Sequence, residues 1–356
     1  MTRAPAAAVL ASNELAAGYY LGPGRERLVL ETPKLCLRAG DLVCVLGPNG
    51  CGKTTLIRTL IGLLPPLRGE VLLAGTPLRK IDRNERARRL AAVLTDRIDP
   101  GFLTVGELVA LGRLPYTPWS GRMNTEDQSV VRRAITAVGL DALGDRRIWE
   151  ISDGERQKAM IARAVAQRPE LLVLDEPTAF LDLPSRVEVL QLLKRLAGDG
   201  GEAVLLSTHE LDLALRLADT LWLIDGRGRL ECGAPEDLVL NGAVARAFAR
   251  PGMRFEPETA AFRPAASARG RIQVLGEGAE ALWTVRALER IGFNPQRVPH
   301  ADALETAVPV VSVIRVPGRG AGACWEYCSG ESRAAGQTAK RRFDSLGELT
   351  GTLRGR

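Results

Sequence analysis

Residues Gly47-Pro48-Asn49-Gly50-Cys51-Gly52-Lys53-Thr54-Thr55 carry a spacing that can do chemistry. They follow the apolar run Leu42-Val43-Cys44-Val45-Leu46 and precede Leu56-Ile57-Arg58-Thr59-Leu60-Ile61, so the stretch predicts strand, glycine loop and helix. Glycines let successive backbone N–H groups curl around an anion, and the helix N-terminus adds the positive end of its dipole. A polyphosphate fits such a loop, with Lys53 reaching the β- and γ-phosphates and the Thr54 hydroxyl placed to ligate Mg²⁺. Far along the chain, Asp175 and Glu176 end the apolar run that begins at Leu171, and Thr208-His209-Glu210 ends the run Ala203-Val204-Leu205-Leu206-Ser207. Doubly wound sheets bind ligands outside the carboxyl ends of their strands, so these polar residues belong beside one nucleotide.

The elements that must position them are legible in outline. Residues 8–46 predict β-rich structure, with Tyr19 and Tyr20 before a turn at Gly22-Pro23-Gly24. A mostly helical block of about residues 100–168 follows, including a helix opened by Asn124 and a second opened at Ser152-Asp153-Gly154-Glu155 and ended by Pro169. The chain has 356 residues, enough for one large and one small domain. We expect a boundary near 250, a Pro-, Gly- and Ala-rich linker over 251–270, and a small α/β domain over 271–356. In that last region Gly276-Glu277-Gly278-Ala279-Glu280-Ala281 fits a loose dinucleotide-loop pattern, but no acidic residue follows at ribose-binding distance, which favours a structural or regulatory role.

Composition narrows the class. The net charge of +6 is shared between both ends of the chain, and only 4% of residues are aromatic, so neither a basic stripe nor a stacking platform for nucleic acid is present. Arg79 to Arg89 is the one basic concentration and predicts a solvated helix face. No run approaches the length of a membrane span. The six cysteines lack a disulfide spacing, which fits a reducing cytoplasm, and Cys324 and Cys328 read as ordinary thiols, not a zinc site.

Together these motifs resemble an ABC-type ATPase over residues 10–250. The finer likeness is to the ATP-binding subunits of bacterial iron–siderophore, haem or cobalamin importers, carried by Leu111-Gly112-Arg113-Leu114-Pro115-Tyr116, Trp119-Ser120-Gly121-Arg122 and Ser207-Thr208-His209-Glu210. The resemblance implies a P-loop cassette: a mixed sheet core, an antiparallel N-terminal β part and a helical subdomain, here followed by the small α/β domain. It implies ATP and Mg²⁺ as ligands, with Gly47 to Thr55 around the phosphates, Tyr19 stacked on adenine, and Thr54 and Asp175 at the metal. Tyr19 also reads as a half-buried strand tyrosine, with Tyr20 adjacent. Glu176 would polarise the attacking water, His209 would contact the γ-phosphate, and Asp182 would lie in the loop that couples two sites. Ser152 and Gly154 would complete the site of a second copy in a head-to-tail dimer.

A transmembrane permease, a solute-binding protein outside the cytoplasm, and a place on the inner face of the plasma membrane are implied as well. Three positions depart from the pattern: Asp153 and Glu155 stand where the signature has glycine and glutamine, and Thr95-Asp96 stands where a glutamine is expected. Extra negative charge beside a phosphate is expected to weaken closure. The other reading is a non-transport ABC ATPase acting on nucleic acid or ribosomes; a single cassette without a coiled-coil insertion argues against it.

Overall fold

The computed structural model describes residues 8–95, 101–118, 122–264, 269–305, 307–315, 323–334 and 339–355. It divides into two compact units, Met1–Ala249 with Phe255–Ala261, and Arg250–Arg254 with Phe262–Arg356.

The first unit is built on a six-stranded sheet in the order Leu230–Gly233, Thr220–Ile224, Leu42–Leu46, Ala203–Ser207, Leu171–Asp175, Leu90–Val93. All neighbours are parallel except the edge pair Leu230–Gly233 and Thr220–Ile224. Every residue of Leu42–Leu46, Leu171–Asp175 and Ala203–Ser207 is buried, as parallel strands covered on both faces require. A separate antiparallel sheet holds Arg25–Glu31, Ala8–Gly22, Arg68–Leu73 and Thr76–Pro77, with Leu35–Arg38 also paired to Ala8–Gly22. Leu10, Leu37, Val43, Leu56, Ile57 and Trp222 belong to one core beneath the loop that follows Leu46.

The helical part comprises Val105–Ala110, Thr125–Ala137 and Asp153–Ala166. All three begin with reciprocal capping boxes, Thr104 with Glu107, Asn124 with Asp127 and Ser152 with Glu155, which satisfy N–H groups that a helix start leaves open. Its internal bolt is Arg113. The buried guanidinium pairs with Asp127 at 2.9 Å, donates to the Ala166 carbonyl at 2.8 Å and lies 3.8 Å from the Tyr116 ring centre. A cation on the last carbonyls of Asp153–Ala166 also complements that helix's dipole. Tyr116 adds a bond to the Gln167 carbonyl, and a Cβ on Gly112 would meet the Arg163 carbonyl oxygen at 2.1 Å. The run Leu111 to Tyr116 is thus the tether of one helix end. Removing either member of the buried pair would strand the other charge, at about 3–5 kcal/mol.

The basic segment is less solvated than expected. Helix Arg83–Arg89 has no buried residue, yet Arg89 pairs with Glu85 and Glu170, and Arg88 donates to the Pro115 carbonyl and lies over Tyr116. Asp96 and Trp119-Ser120-Gly121 lie outside the described residues.

The stretch expected as a linker contains two paired strands, Met253–Glu256 and Ala261–Pro264, and Phe255 is buried. Alternation of side chains outweighs the local prolines and glycines there.

The second unit is a five-stranded sheet, ordered Asn294–Val298, Arg271–Leu275, Val310–Arg315, Ala323–Cys328, Arg341–Phe343. The first three run parallel and the rest antiparallel. Helices Gly278–Arg290 and Leu346–Arg354 share a core with Ile272, Val274, Val311 and Trp325, whose indole donates to Thr284 at 2.7 Å. The strand Arg341–Phe343 precedes helix Leu346–Arg354 at the end of this unit. Cys324 and Cys328 sit on one strand as free thiols, and no metal-holding cluster of three His, Cys, Asp or Glu occurs among the described residues.

Candidate nucleotide site

The loop from Gly47 to Gly52 leaves the buried strand Leu42–Leu46 and delivers Lys53 as the first residue of helix Lys53–Leu60. Gly52 precedes the helix at φ 108, a conformation that L side chains rarely adopt, and a Cβ there would lie 2.6 Å from both Leu30 and Val29. A Cβ on Gly47 would lie 2.5 Å from the Ile224 carbonyl oxygen. These two glycines let the loop close under the neighbouring strands. The Lys53 ammonium is buried and donates to the Gly47 carbonyl at 3.0 Å and the Pro48 carbonyl at 3.3 Å. Cys51 is buried in the same loop, and desolvation pushes its thiol up.

A cleft of about 580 Å³ opens over the loop, lined by Tyr19, Arg27, Val29, Asn49, Gly50, Gly52, Lys53, Thr54, Thr55, Glu176 and His209. Tyr19 is part-exposed and its hydroxyl lies 3.1 Å from Thr55 Oγ1, so the aromatic at the mouth is tied to the helix behind the loop. Arg27 and Val29 went unassigned in the sequence. Their signal was the Gly22-Pro23-Gly24 turn, because the resulting antiparallel register sets Arg27 directly opposite Tyr19.

The far wall comes from two adjacent strands. Asp175 is buried at the end of Leu171–Asp175 and receives the Ser207 hydroxyl at 2.5 Å. Glu176 follows with φ 52, outside the usual range for a non-glycine residue, at a strain of about 1–3 kcal/mol. Its N–H is held by the Ser207 hydroxyl at 2.9 Å and the Ser207 carbonyl at 3.2 Å, which over-determines that backbone. The turned carboxylate meets His209 Nε2 at 2.5 Å. Thr95, at the place where a glutamine was expected, donates its hydroxyl to the Asp175 carbonyl at 2.8 Å.

Three expected residues fall elsewhere. Asp182 caps helix Leu183–Gly200 through the Ser185 N–H, and Ser185 holds its carboxyl below the ordinary range. Ser152, Gly154 and Asp182 are absent from the lining of this cleft, so within one chain the structure does not bring them to the loop. A Cβ on Gly154 would meet Ser185 Oγ at 2.9 Å. The two signature departures have local partners. Glu155 turns its carboxylate back onto the Ser152 N–H and hydroxyl, both at 2.8 Å, and Asp153 pairs with Arg156 at 3.4 Å. Glutamine and glutamate both close a capping box, so Glu155 keeps the helix start that the expected glutamine would make.

Comparison with known proteins agrees with this geometry. Residues 30–179 match the ABC transporter family, and residues 269–354 match the iron ABC transporter C-terminal domain. The chain is 35% identical over 302 residues to the cobalamin import ATP-binding protein BtuD of Halobacterium salinarum, spanning 80% of this chain and 75% of that protein. It is 35% identical over 239 residues to the ferric enterobactin transport ATP-binding protein FepC of Escherichia coli, spanning 67% and 86%. A solved ATP-binding subunit of an ABC transporter superposes with a TM-score of 0.55 at 27% identity, covering 68% of this chain and 95% of that one. With its strand-end carboxylates, its glycine loop and these relatives, the chain belongs to the ATP-binding proteins of ABC transporters.

Proposed function

We propose that this chain hydrolyses ATP to drive a membrane importer of an iron chelate, haem or cobalamin. The observation that carries the hydrolytic part is the 2.5 Å contact between Glu176 and His209 on the wall of the cleft that Lys53 and Thr54 also line. Phosphoryl transfer asks mainly for positioning and charge compensation. Glu176 takes the proton side of the attacking water, His209 orients Glu176 and meets the γ-phosphate, and Lys53 exchanges its two carbonyl contacts for phosphate oxygens. Tyr19 and its anchor on Thr55 seat the adenine. Thr54 in the cleft lining and Asp175, buried at its strand end outside that lining, are the hard oxygen donors that would hold Mg²⁺, and the ion would offset phosphate charge.

Ser152 and Gly154 act on the nucleotide of a second copy in a head-to-tail dimer, with Asp182 in the loop between sites. The iron-type C-terminal match and the cobalamin and ferric enterobactin relatives support the importer over an ATPase of nucleic acid or ribosomes. Residues 271–356 serve as an accessory domain. Among the described residues no helix is long and apolar enough to cross a membrane. In this reading the permease is a separate chain, and a solute-binding protein supplies it. This subunit sits on the cytoplasmic face. Phe102 and Trp149, exposed and edge to face at 5.3 Å on the helical part, suit a surface that the permease covers. Reconstitution with the permease in vesicles tests the reading: ATP-dependent uptake of a ferric chelate, haem or cobalamin is expected, and phosphate release that none of them couples to transport would end it.

A further inference from the structure

Ser207 ends the strand Ala203–Ser207 and stands opposite Asp175 in the parallel ladder, fully buried. A serine hydroxyl has one proton and two lone pairs. Its neighbours fix how these are used, because an ionised carboxylate only accepts and a backbone N–H only donates. The proton therefore goes to Asp175 Oδ1 at 2.5 Å, and a lone pair takes the Glu176 N–H at 2.9 Å. One oxygen thus touches both residues expected to serve the metal and the water.

We infer that Ser207 is the positioning residue of this site, fixing the Asp175 carboxylate for Mg²⁺ and the Glu176 backbone for the attacking water through a single hydroxyl. The inference rests on the ATPase reading above. Occupying Oδ1 stops the Asp175 carboxylate from turning and, among the described residues, leaves its other oxygen without a hydrogen-bond donor. Holding the Glu176 amide keeps that residue in its left-handed turn, with the carboxylate on His209. Thr95 holds the Asp175 carbonyl from the other side, so the strand end does not rest on the Ser207 hydroxyl alone.

The test is ATP affinity of the full chain by calorimetry, in EDTA and again with Mg²⁺, for wild type, Ser207→Ala and Ser207→Thr. In EDTA all three are expected to agree within about twofold, while the gain in affinity on adding Mg²⁺ shrinks about tenfold in Ser207→Ala and survives in Ser207→Thr, as for other outer partners of metal-binding carboxylates. An alanine variant that keeps the whole Mg²⁺ gain overturns the inference. So does one that loses metal-free binding equally, since the hydroxyl would then merely support the fold. If the alanine chain does not fold, Ser207→Cys, a weaker donor, is held to the same two outcomes. A wild-type protein whose ATP affinity ignores Mg²⁺ would instead remove the metal reading itself.

Discussion

Two strand–loop–helix junctions in this chain look alike on paper and differ in what they can hold. After Leu46, the residues Gly47 to Gly52 form a loop before Lys53 starts a helix; after Leu275, only Gly276 and Glu277 intervene before helix Gly278–Arg290. Both contain glycines at positive φ. In the first, φ 108 at Gly52 turns the chain around a space that a cation and a hydroxyl face. In the second, a Cβ on Gly276 would meet Val313 at 3.0 Å and Ala281 at 3.7 Å, so that glycine serves close packing of strand and helix. Its helix is preceded by Glu277, an anion where a phosphate would need the opposite charge. Glycine and a helix start are therefore insufficient; loop length and a buried cation decide.

The largest effect should come from the wall opposite the first loop. Glu176→Gln is expected to lower phosphate release at least about 10²-fold while ATP still binds, as loss of a general base does. Turnover that survives would break the comparison at its functional end. Next, Lys53→Ala should weaken ATP binding roughly ten- to hundredfold, the value of a charge-assisted contact, and Glu277→Lys at the second junction should create no nucleotide binding. ATP retained by a Lys53→Ala, Glu277→Lys double variant would show that the short loop can hold phosphate after all.

A matched glycine pair sharpens the contrast. Gly52→Ala should cost nucleotide affinity, whereas Gly276→Ala should cost about 1–3 kcal/mol of stability in the second unit, seen by melting, with ATP affinity unchanged. The smallest effect concerns Glu155. The Ser152 N–H holds its carboxyl below the ordinary 4.5, so its contribution is fully present above that pH and fades as pH falls through the lowered folded value. Glu155→Gln should remove this acid dependence and shift stability by about 0.5 kcal/mol or less, the scale of a solvated contact. A marked gain in ATP-dependent dimerisation on that substitution would restore the charge-repulsion expectation.

What could be read in advance tracks how local the signal is. Gly47 to Thr55, and Asp175-Glu176 after a run of apolar residues, are contiguous, so the roles proposed for them could be written down from the motifs and the family they resemble. Ser207 and Arg27 lie across strands from their partners, which follow from register; in the fully buried Ala203–Ser207 the hydrophobic pattern has no alternation from which to read it, and for Arg27 it depends on the turn at Gly22-Pro23-Gly24. Asp153 and Glu155 were read as bare charges although the helix start at Ser152 was placed, and Ser152 followed three residues on by Glu155 is itself the spacing of a capping box. Strand Asn294–Val298, containing Pro295 and Arg297, lacks the apolar run of a central strand; it lies at the sheet edge, where proline is tolerated. The hairpin over residues 253–264 hid behind turn residues in the same way.

Lys53 leaves one further consequence. Its ammonium already rests on the Gly47 and Pro48 carbonyls, so the loop carries its own internal counterpart for the charge. Capturing a phosphate is then a swap of partners, and the measured affinity is the difference between two sets of contacts. Release runs along the same exchange in reverse, with the carbonyls waiting to take the ammonium back. In the hydrolytic cycle proposed above, a loop arranged this way would ease the release of spent nucleotide on every stroke.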